Sequence, residues 1–215
     1  IRVKIPGTSE ECFIIPERAF DLINNLPEGV IDISVSSENV MAIRADKIRN
    51  TYQTVEPINF PILNIDGEGS EFTLKAEMLL KSIKSVSYAI PTQVTDMRMS
   101  SLCMQAKGGQ LNFVGLDGHV LAWDKIKYNG EFELLISKST IEKLKSILSA
   151  GEVKIKYSDS MAIFSTEDFD ICTRIVQGKY YPYHDMFKEL PIHTFVVRSE
   201  LLDAMIRAKM CTAEK

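Results

Sequence analysis

The chain has 215 residues, 45% of them hydrophobic, and a formal net charge of −4. This size and composition suit one or two globular domains with substantial cores, and no apolar run approaches the ~18 residues of a membrane-spanning helix. With a sequence pI near 5.5, the chain taken whole does not resemble a nucleic-acid-binding protein, so only a local clustering of cations could indicate one.

The first stretch of the chain has the pattern of a strand, a helix and three antiparallel strands. The apolar run at 12–15 predicts a strand, and Pro16 can open a helix because the first helical position needs no N–H. Apolar residues then recur at helical spacing up to Leu26. Alternating patterns predict the three strands, which we place at 31–35, 40–45 and 48–54.

The same order of elements occurs twice more. One copy has a strand at 72–74 and a helix over 75–88, with Met78, Leu79, Ile83 and Val86 on its buried face, and three strands at 100–106, 110–115 and 119–127. The next copy has a strand at 134–136, a helix over 138–148 with Ser137 as N-cap, and three strands at 153–157, 161–164 and 169–176.

Segments also repeat at a spacing of about 122 residues, which is the length of a domain rather than of a solenoid repeat. Phe72-Thr73-Leu74, for example, returns as Phe195-Val196-Val197 before a helix at 198–209. The alternative is chance recurrence of a common motif, but the spacing holds through several consecutive elements. We therefore expect the second half of one domain at 1–66, a complete domain at 67–190, and the first strand and helix of a third at 191–215.

The sequence offers little for catalysis. It has no P-loop, no Gly-rich dinucleotide motif and no Zn-type Cys/His spacing, so we expect no catalytic residue, no metal and no cofactor. Asp117 and His119 could serve a hydrolase, but Asp117-Gly118 is also a common turn pair. The four cysteines are expected to be buried, reduced thiols of a cytoplasmic protein.

Cations recur on the predicted helices, on faces opposite the apolar stripes. Side by side, such helices would attract phosphates without reading base sequence, although an ordinary solvated helix face gives the same pattern. The cations that would form such a phosphate-attracting surface are Lys81, Lys84, Lys138, Lys145, Arg207 and Lys209.

Two stretches resemble one family. Residues 116–122, Leu-Asp-Gly-His-Val-Leu-Ala, resemble the T-D-G-H-R-L-A stretch of the bacterial sliding clamp, the β subunit of the replicative DNA polymerase. Residues 174–183 resemble the R/K-L-x-x-G-K/R-F-P-x-Y stretch that closes the middle domain of that family. The two stretches lie about 60 residues apart, as the repeat requires, and the resemblance covers essentially the whole chain.

The resemblance implies an α+β DNA-clamp fold, built from strand–helix–three-strand half-units, with sheets outside and helices lining an inner face. It implies a cytoplasmic, nucleoid-associated bacterial protein without catalytic activity, an accessory subunit that confers processivity on the DNA polymerase III holoenzyme. Two full-length chains would close as a homodimer ring around double-stranded DNA. Its partners would be the polymerase catalytic subunit, the clamp loader and other clamp-motif proteins. A clamp-fold adaptor that forms no ring remains the alternative.

The family binds its partners through a short peptide that enters a groove between the middle and third domains. The positions that match the groove here are Leu116, Gly118, His119, Val120, Leu121, Tyr181, Pro182 and Met186, and a matching DNA-contacting loop adds Arg98 as a DNA-facing candidate. Leu116 and Val120 stand where the family usually has a hydroxyl residue and a cation, so the groove is expected to be more apolar. The proline at 182 is displaced by one position relative to the family stretch.

Overall fold

The computed structural model describes residues 1–3, 12–60, 69–92, 95–187, 191–192 and 194–211. The chain divides into two compact units, Ile1–Lys179 and Tyr180–Lys215. Within the described ranges, no helix is long and apolar enough to cross a lipid bilayer.

The described elements are four α-helices and twelve strands, together with three short 3₁₀ turns. The helices are α1 Glu17–Asn24, α2 Ala76–Val86, α3 Lys138–Ile147 and α4 Arg198–Cys211. The strands are β1 Arg2–Val3, β2 Asp32–Val35, β3 Val40–Ala45, β4 Ile48–Gln53, β5 Ser70–Lys75, β6 Ser101–Lys107, β7 Gln110–Leu116, β8 Leu121–Lys127, β9 Phe132–Ser137, β10 Glu152–Tyr157, β11 Met161–Ser165 and β12 Phe169–Arg174.

The first part of the first unit is a small layer of one helix on one sheet. Strands β2, β3 and β4 form an antiparallel sheet in that order, and α1 packs on it around a core of Ala19, Met41 and Ile43. The predicted strand at 12–15 is wrong, because these residues form no ladder with a described strand. The Thr54 hydroxyl instead donates to the Ile14 carbonyl, and an extended segment without a ladder partner is not a strand.

The rest of the first unit consists of two similar halves that exchange their first strands. One half is β5-α2-β6-β7-β8 and the other is β9-α3-β10-β11-β12, as the repeated strand–helix–three-strand pattern predicts. The first strand of each half pairs with the second strand of the other half, β5 with β10 and β9 with β6. The two sheets, β8-β7-β6-β9 and β1-β12-β11-β10-β5, therefore each contain strands of both halves.

One apolar core lies between these sheets and the helices. Helices α2 and α3 contact each other, and α2 also packs on β7 and β8. Leu79, Ile83 and Val86 of α2 are fully buried, but Met78 is 42% exposed, so its predicted place on the buried face is wrong. Met78 follows Glu77 in the first turn of α2, and the buried side chains of this helix lie at 76, 79, 82, 83 and 86, on one stripe.

The second unit consists of a 3₁₀ turn at Tyr183–Met186 and the helix α4. The predicted helix is confirmed, but the predicted strand at 195–197 is wrong, because these residues are described without strand structure. Every described residue of α4 is exposed. Leu201, Leu202, Met205 and Ile206 are among them, so this helix has an apolar side that no described residue covers.

All four cysteines are free thiols, but their predicted burial is only partly right. Cys103 is buried in β6 and Cys172 is half-buried, whereas Cys12 and Cys211 are exposed. Burial raises the pKa of the Cys103 thiol well above its usual value, with a smaller contribution from the nearby Glu133 carboxylate. Cys103 is thus held in the protonated, unreactive form.

Candidate nucleic-acid and partner-peptide surfaces

The strongest cationic feature lies on α2. Lys81 and Lys84 are exposed, on the side of the helix away from the buried Leu79 and Ile83. Neither forms an ion pair within the described part of the chain. These two ammonium groups can therefore attract phosphates without first giving up an internal partner.

The two cations predicted on α3 are already engaged. The Lys138 ammonium donates to the Ile90 carbonyl and to the Thr92 hydroxyl, 3.0 Å away. Lys145 forms an ion pair with Glu142 at 3.1 Å, one turn back on the same helix. The contact between α2 and α3 places the four predicted lysines on neighbouring helices, but a phosphate would have to compete with these bonds at Lys138 and Lys145.

Arg98 lies in the connection between α2 and β6 and is bound to the chain on several sides. Its guanidinium makes a bidentate pair with Asp96, with a shortest N–O distance of 2.6 Å, and also donates to the Lys179 carbonyl at 3.3 Å. Its side chain fills the space beside Gly178, where an added Cβ would lie 3.1 Å from Arg98 Cδ. Any DNA contact by Arg98 would compete with this local packing.

The remaining predicted cations, Arg207 and Lys209, lie in the second unit. Both are on α4 and both are exposed. Lys209 stands in the last turn of the helix, where a cation interacts favourably with the helix dipole.

The residues predicted for the first side of the groove form one hairpin. Leu116 ends β7 and pairs with Leu121, which begins β8, and Gly118 supplies the positive φ of +90° that the turn requires. Leu116 is buried, His119 is exposed, Val120 is 42% exposed and Leu121 is half-buried. The hairpin therefore presents an imidazole and an isopropyl group on a rigid two-stranded base.

Asp117 stabilises this turn. Its carboxylate accepts hydrogen bonds from the backbone N–H of Val120 at 2.6 Å and of His119 at 2.8 Å. These two bonds hold the pKa of Asp117 below its usual value, since they favour the charged form. Asp117 thus has the contacts of a turn-forming residue, and the described residues contain no cluster of three metal-ligating side chains beside it.

Next to the hairpin, a polar network that the sequence alone did not indicate fixes the neighbouring strand. The Trp123 indole N–H donates to the Asn112 side-chain oxygen at 2.9 Å, and the Asn112 amide donates to the Gln105 carbonyl. The Lys125 ammonium lies 5.3 Å from the centre of the Trp123 ring. The alternating pattern of residues 121–127 could have predicted that Trp123 and Lys125 share one face of the strand. It could not have predicted that Asn112 on β7 and Gln105 on β6 complete the network.

The other predicted groove residues lie in the second unit. Tyr181 is half-buried and its ring lies edge-on to that of Tyr180, with centroids 5.6 Å apart. Pro182 is exposed and its carbonyl accepts from the Asp185 N–H, while Met186 is 49% exposed at the end of the 3₁₀ turn. Within this unit the three residues flank or belong to one turn.

Comparison with known proteins identifies the family. The family model "DNA polymerase III beta subunit, central domain" matches residues 73–182, which is half of the chain. The chain belongs to the DNA polymerase III beta subunit family. The matched residues include the hairpin at 116–121 and the strand exchange between the two halves, except for the first three residues of β5.

Individual members of this family are distant in sequence but similar in fold. The beta sliding clamp of Pseudomonas aeruginosa is 25% identical, over 100% of this chain and 61% of the relative. The crystal structure of the DNA polymerase III subunit beta from Pseudomonas aeruginosa superposes with a TM-score of 0.78, at 25% identity over 90% of this chain and 55% of that one. A putative DNA polymerase III beta subunit from Eubacterium rectale, 18% identical, has the same fold with a TM-score of 0.87, over 99% of this chain and 60% of that one. The chain thus spans about three fifths of the length of such relatives.

Proposed function

We propose that the protein of which this chain is part is a sliding clamp. The full-length protein would encircle duplex DNA as a homodimer ring and tether the polymerase catalytic subunit, the clamp loader and other clamp-motif proteins. It would be a bacterial, cytoplasmic and nucleoid-associated accessory subunit rather than an enzyme. Residues 1–66 would complete one clamp domain, 67–190 would be the middle domain, and 191–215 would begin the third.

The observation that carries this proposal is the pairing of β1 with β12. Arg2 pairs with Asp170 and Val3 with Phe169, so the sheet of the middle part is extended by a strand from the preceding part. One repeat of about 122 residues separates β1 from the middle of β8. β1 is therefore the counterpart of β8 in the preceding domain. By this rule, each domain joins the next one by pairing its own counterpart of β8 with the next domain's counterpart of β12.

This rule leaves two edges open. In the described sheets β8 is terminal, and so is β4, the counterpart of β12 one repeat earlier. Exposed strand edges invite pairing, and applying the same rule would join β8 to the third domain. It would likewise join β4 to the third domain of a second chain. Two chains that add strands head to tail in this way form a closed ring when the rotations at their junctions add up to a full turn.

The proposed contact with DNA is electrostatic and not sequence-specific. Lys81 and Lys84 are the leading candidates because they are exposed and unpaired within the described residues. Replacing both with alanine in the full-length protein should reduce the slope of log affinity for duplex DNA against log salt by about 2. Lys154→Ala is the matched control, because Lys154 pairs with Glu71 on the sheet at 2.9 Å and should leave the slope unchanged. An unchanged slope in the double variant would show that the two lysines do not contact DNA.

The experiment that tests the ring itself is topological. The full-length protein is loaded by its clamp loader onto nicked circular duplex DNA, and half of the sample is then linearised. Retention on the circle and rapid loss from the linear DNA are expected, because a ring slides off a free end. Equal retention on both forms would show direct binding rather than encirclement, and no retention on the circle would favour an adaptor that forms no ring.

Partner binding has its own test. A peptide with a polymerase clamp-binding motif should bind the full-length protein, and Leu121→Asp should weaken binding by at least tenfold, because it buries a charge against an apolar ligand. Lys127→Asp, at the far end of the same strand, is the control. Wild-type affinity in the Leu121 variant would show that the hairpin at 116–121 does not form the groove.

A further inference from the structure

Asn129-Gly130 is the single Asn-Gly pair in the chain, and it lies between β8 and β9. Both residues are exposed and have no regular secondary structure. Within the described ranges, no backbone hydrogen bond holds the Gly130 amide. An asparagine followed by glycine in such a connection can bring its side-chain carbonyl carbon to the next backbone nitrogen.

The structure also requires glycine at position 130. A Cβ on Gly130 would lie 2.6 Å from Tyr128 Cε1 and 3.2 Å from the Tyr128 hydroxyl oxygen. The Tyr128 ring cannot easily move away, because it packs edge-on against Phe72 and Phe132, with centroids 5.3 and 5.7 Å away. The fold therefore keeps the unhindered nucleophile next to Asn129.

We propose that Asn129 is a site of spontaneous deamidation, and that its isoaspartyl product loosens the contact between the two large sheets. The Gly130 backbone nitrogen loses its proton and bonds to Asn129 Cγ, and ammonia leaves to give a five-membered succinimide. Water then cleaves one of the two carbonyl–nitrogen bonds of the ring. Cleavage at Cγ gives aspartate, and cleavage at the main-chain carbonyl carbon gives isoaspartate, with no change of oxidation state in either case.

The turn at Asp117-Gly118 provides the contrast. Asp117-Gly118 is also an exposed turn, but the Asp117 carboxylate accepts from the His119 and Val120 amides, and the Asp117 N–H donates to the Val120 carbonyl. These bonds engage the Asp117 carboxylate and favour its charged form, and a carboxylate is a poor electrophile. Of the two turns, only Asn129-Gly130 is free to form the ring.

The two products should have different structural effects. Aspartate at 129 adds only a charge at an exposed position. Isoaspartate adds one methylene to the main chain between Tyr128 and Gly130, and so displaces the Tyr128 ring from its cluster. That cluster joins the two sheets, since Phe72 and Tyr157 come from β5 and β10 of one sheet and Phe132 comes from β9 of the other.

The test is to age the purified protein at neutral and at mildly alkaline pH and to map its peptides by mass spectrometry. Position 129 should convert to a mixture of aspartate and isoaspartate several-fold faster than any other asparagine in the described ranges, and faster at the higher pH, while Asp117 stays unmodified. Asn129→Gln should not convert, because glutamine would need a six-membered ring. No conversion at 129, or isomerisation at Asp117 as fast as conversion at Asn129, would overturn the assignment.

Stability measurements test the structural part. The isoaspartyl form, separated from the aged sample, should unfold at lower urea concentration than fresh protein, followed by the fluorescence of Trp123, the single tryptophan. Asn129→Asp, which carries the charge without the longer backbone, should unfold like fresh protein. Equal stability of the isoaspartyl form and the Asn129→Asp variant would show that the link between this turn and the sheet contact does not exist.

Discussion

Gly115 of β7 lies close against the end of α2, and Gly115→Ala should be strongly destabilising. A Cβ at this position would lie 2.6 Å from the Val86 carbonyl oxygen and 3.0 Å from Ile90 Cγ1. To reach an ordinary contact of about 3.4 Å the oxygen would have to move by about 0.8 Å. The oxygen belongs to the backbone at the end of α2, so relief requires a shift of the helix and not of a side chain.

Overpacking of this kind costs about 1–3 kcal/mol, and a backbone obstacle places this site at the upper end, near about 3 kcal/mol. The free energy of unfolding falls by about 2 kcal/mol for each molar of urea, so the urea concentration at the unfolding midpoint should fall by about 1.5 M. Trp123 reports this transition, because Gly115 pairs with Ala122 and Val114 with Trp123 in the same sheet. Gln110→Ala, at the start of the same strand, is the control and should change stability by less than about 0.5 kcal/mol. A Gly115→Ala midpoint equal to that of the control would refute the close approach of α2 to β7.

Three further outcomes follow from the site geometry. Gly178→Ala should lower stability by about 1–2 kcal/mol in the same urea assay, since Gly178 has a φ of +110° and a neighbouring arginine fills its Cβ space; a neutral effect would contradict that packing. The lowered pKa of Asp117 means that its stabilisation of the hairpin is complete above the unfolded-state pKa and is lost as pH falls through the folded-state pKa. Asp117→Asn should remove this acid dependence, measured by the chemical shifts of the turn amides, and an identical pH profile in the variant would contradict it. A thiol reagent should label Cys12 and Cys211 at once and Cys103 only upon unfolding, whereas rapid labelling of Cys103 would show that its strand opens.

The helices and hairpins could be predicted from the sequence because their signals are local. The apolar spacing of α2 and α3, and the alternation along β2 or β10, arise from residues a few positions apart. The two predicted strands that failed, at 12–15 and 195–197, have equally strong local patterns. A strand exists only when another strand supplies its hydrogen bonds, and that partner is not encoded in the strand's own sequence.

The same limit applies to the predicted site residues. The positions of Gly118 and Asp117 in a tight turn follow from residue type, because Asp-Gly favours such a turn. The contacts of Lys138 with Ile90 and of Arg98 with Lys179 could not be predicted, because these partners are distant in sequence and are brought together only by the fold. The position of a cation on the face opposite the apolar stripe therefore identified the candidate residues, but it did not show which of them are already paired.

The difference between paired and exposed lysines bears on how a chain with a net negative charge could serve as a clamp. Of the five lysines on α2 and α3, Lys138 and Lys145 are held by internal partners, and Lys81, Lys84 and Lys143 remain exposed. Three exposed lysines on this pair of helices give an attraction that weakens as the salt concentration rises and that releases few counterions. Under the proposed function this is an advantage, since a ring is kept on DNA by its closed topology and stronger contacts would only slow its sliding. Adding cations beside Lys81 should accordingly tighten DNA binding by the full-length protein while reducing its diffusion along DNA in single-molecule tracking, and faster diffusion in such a variant would contradict this account.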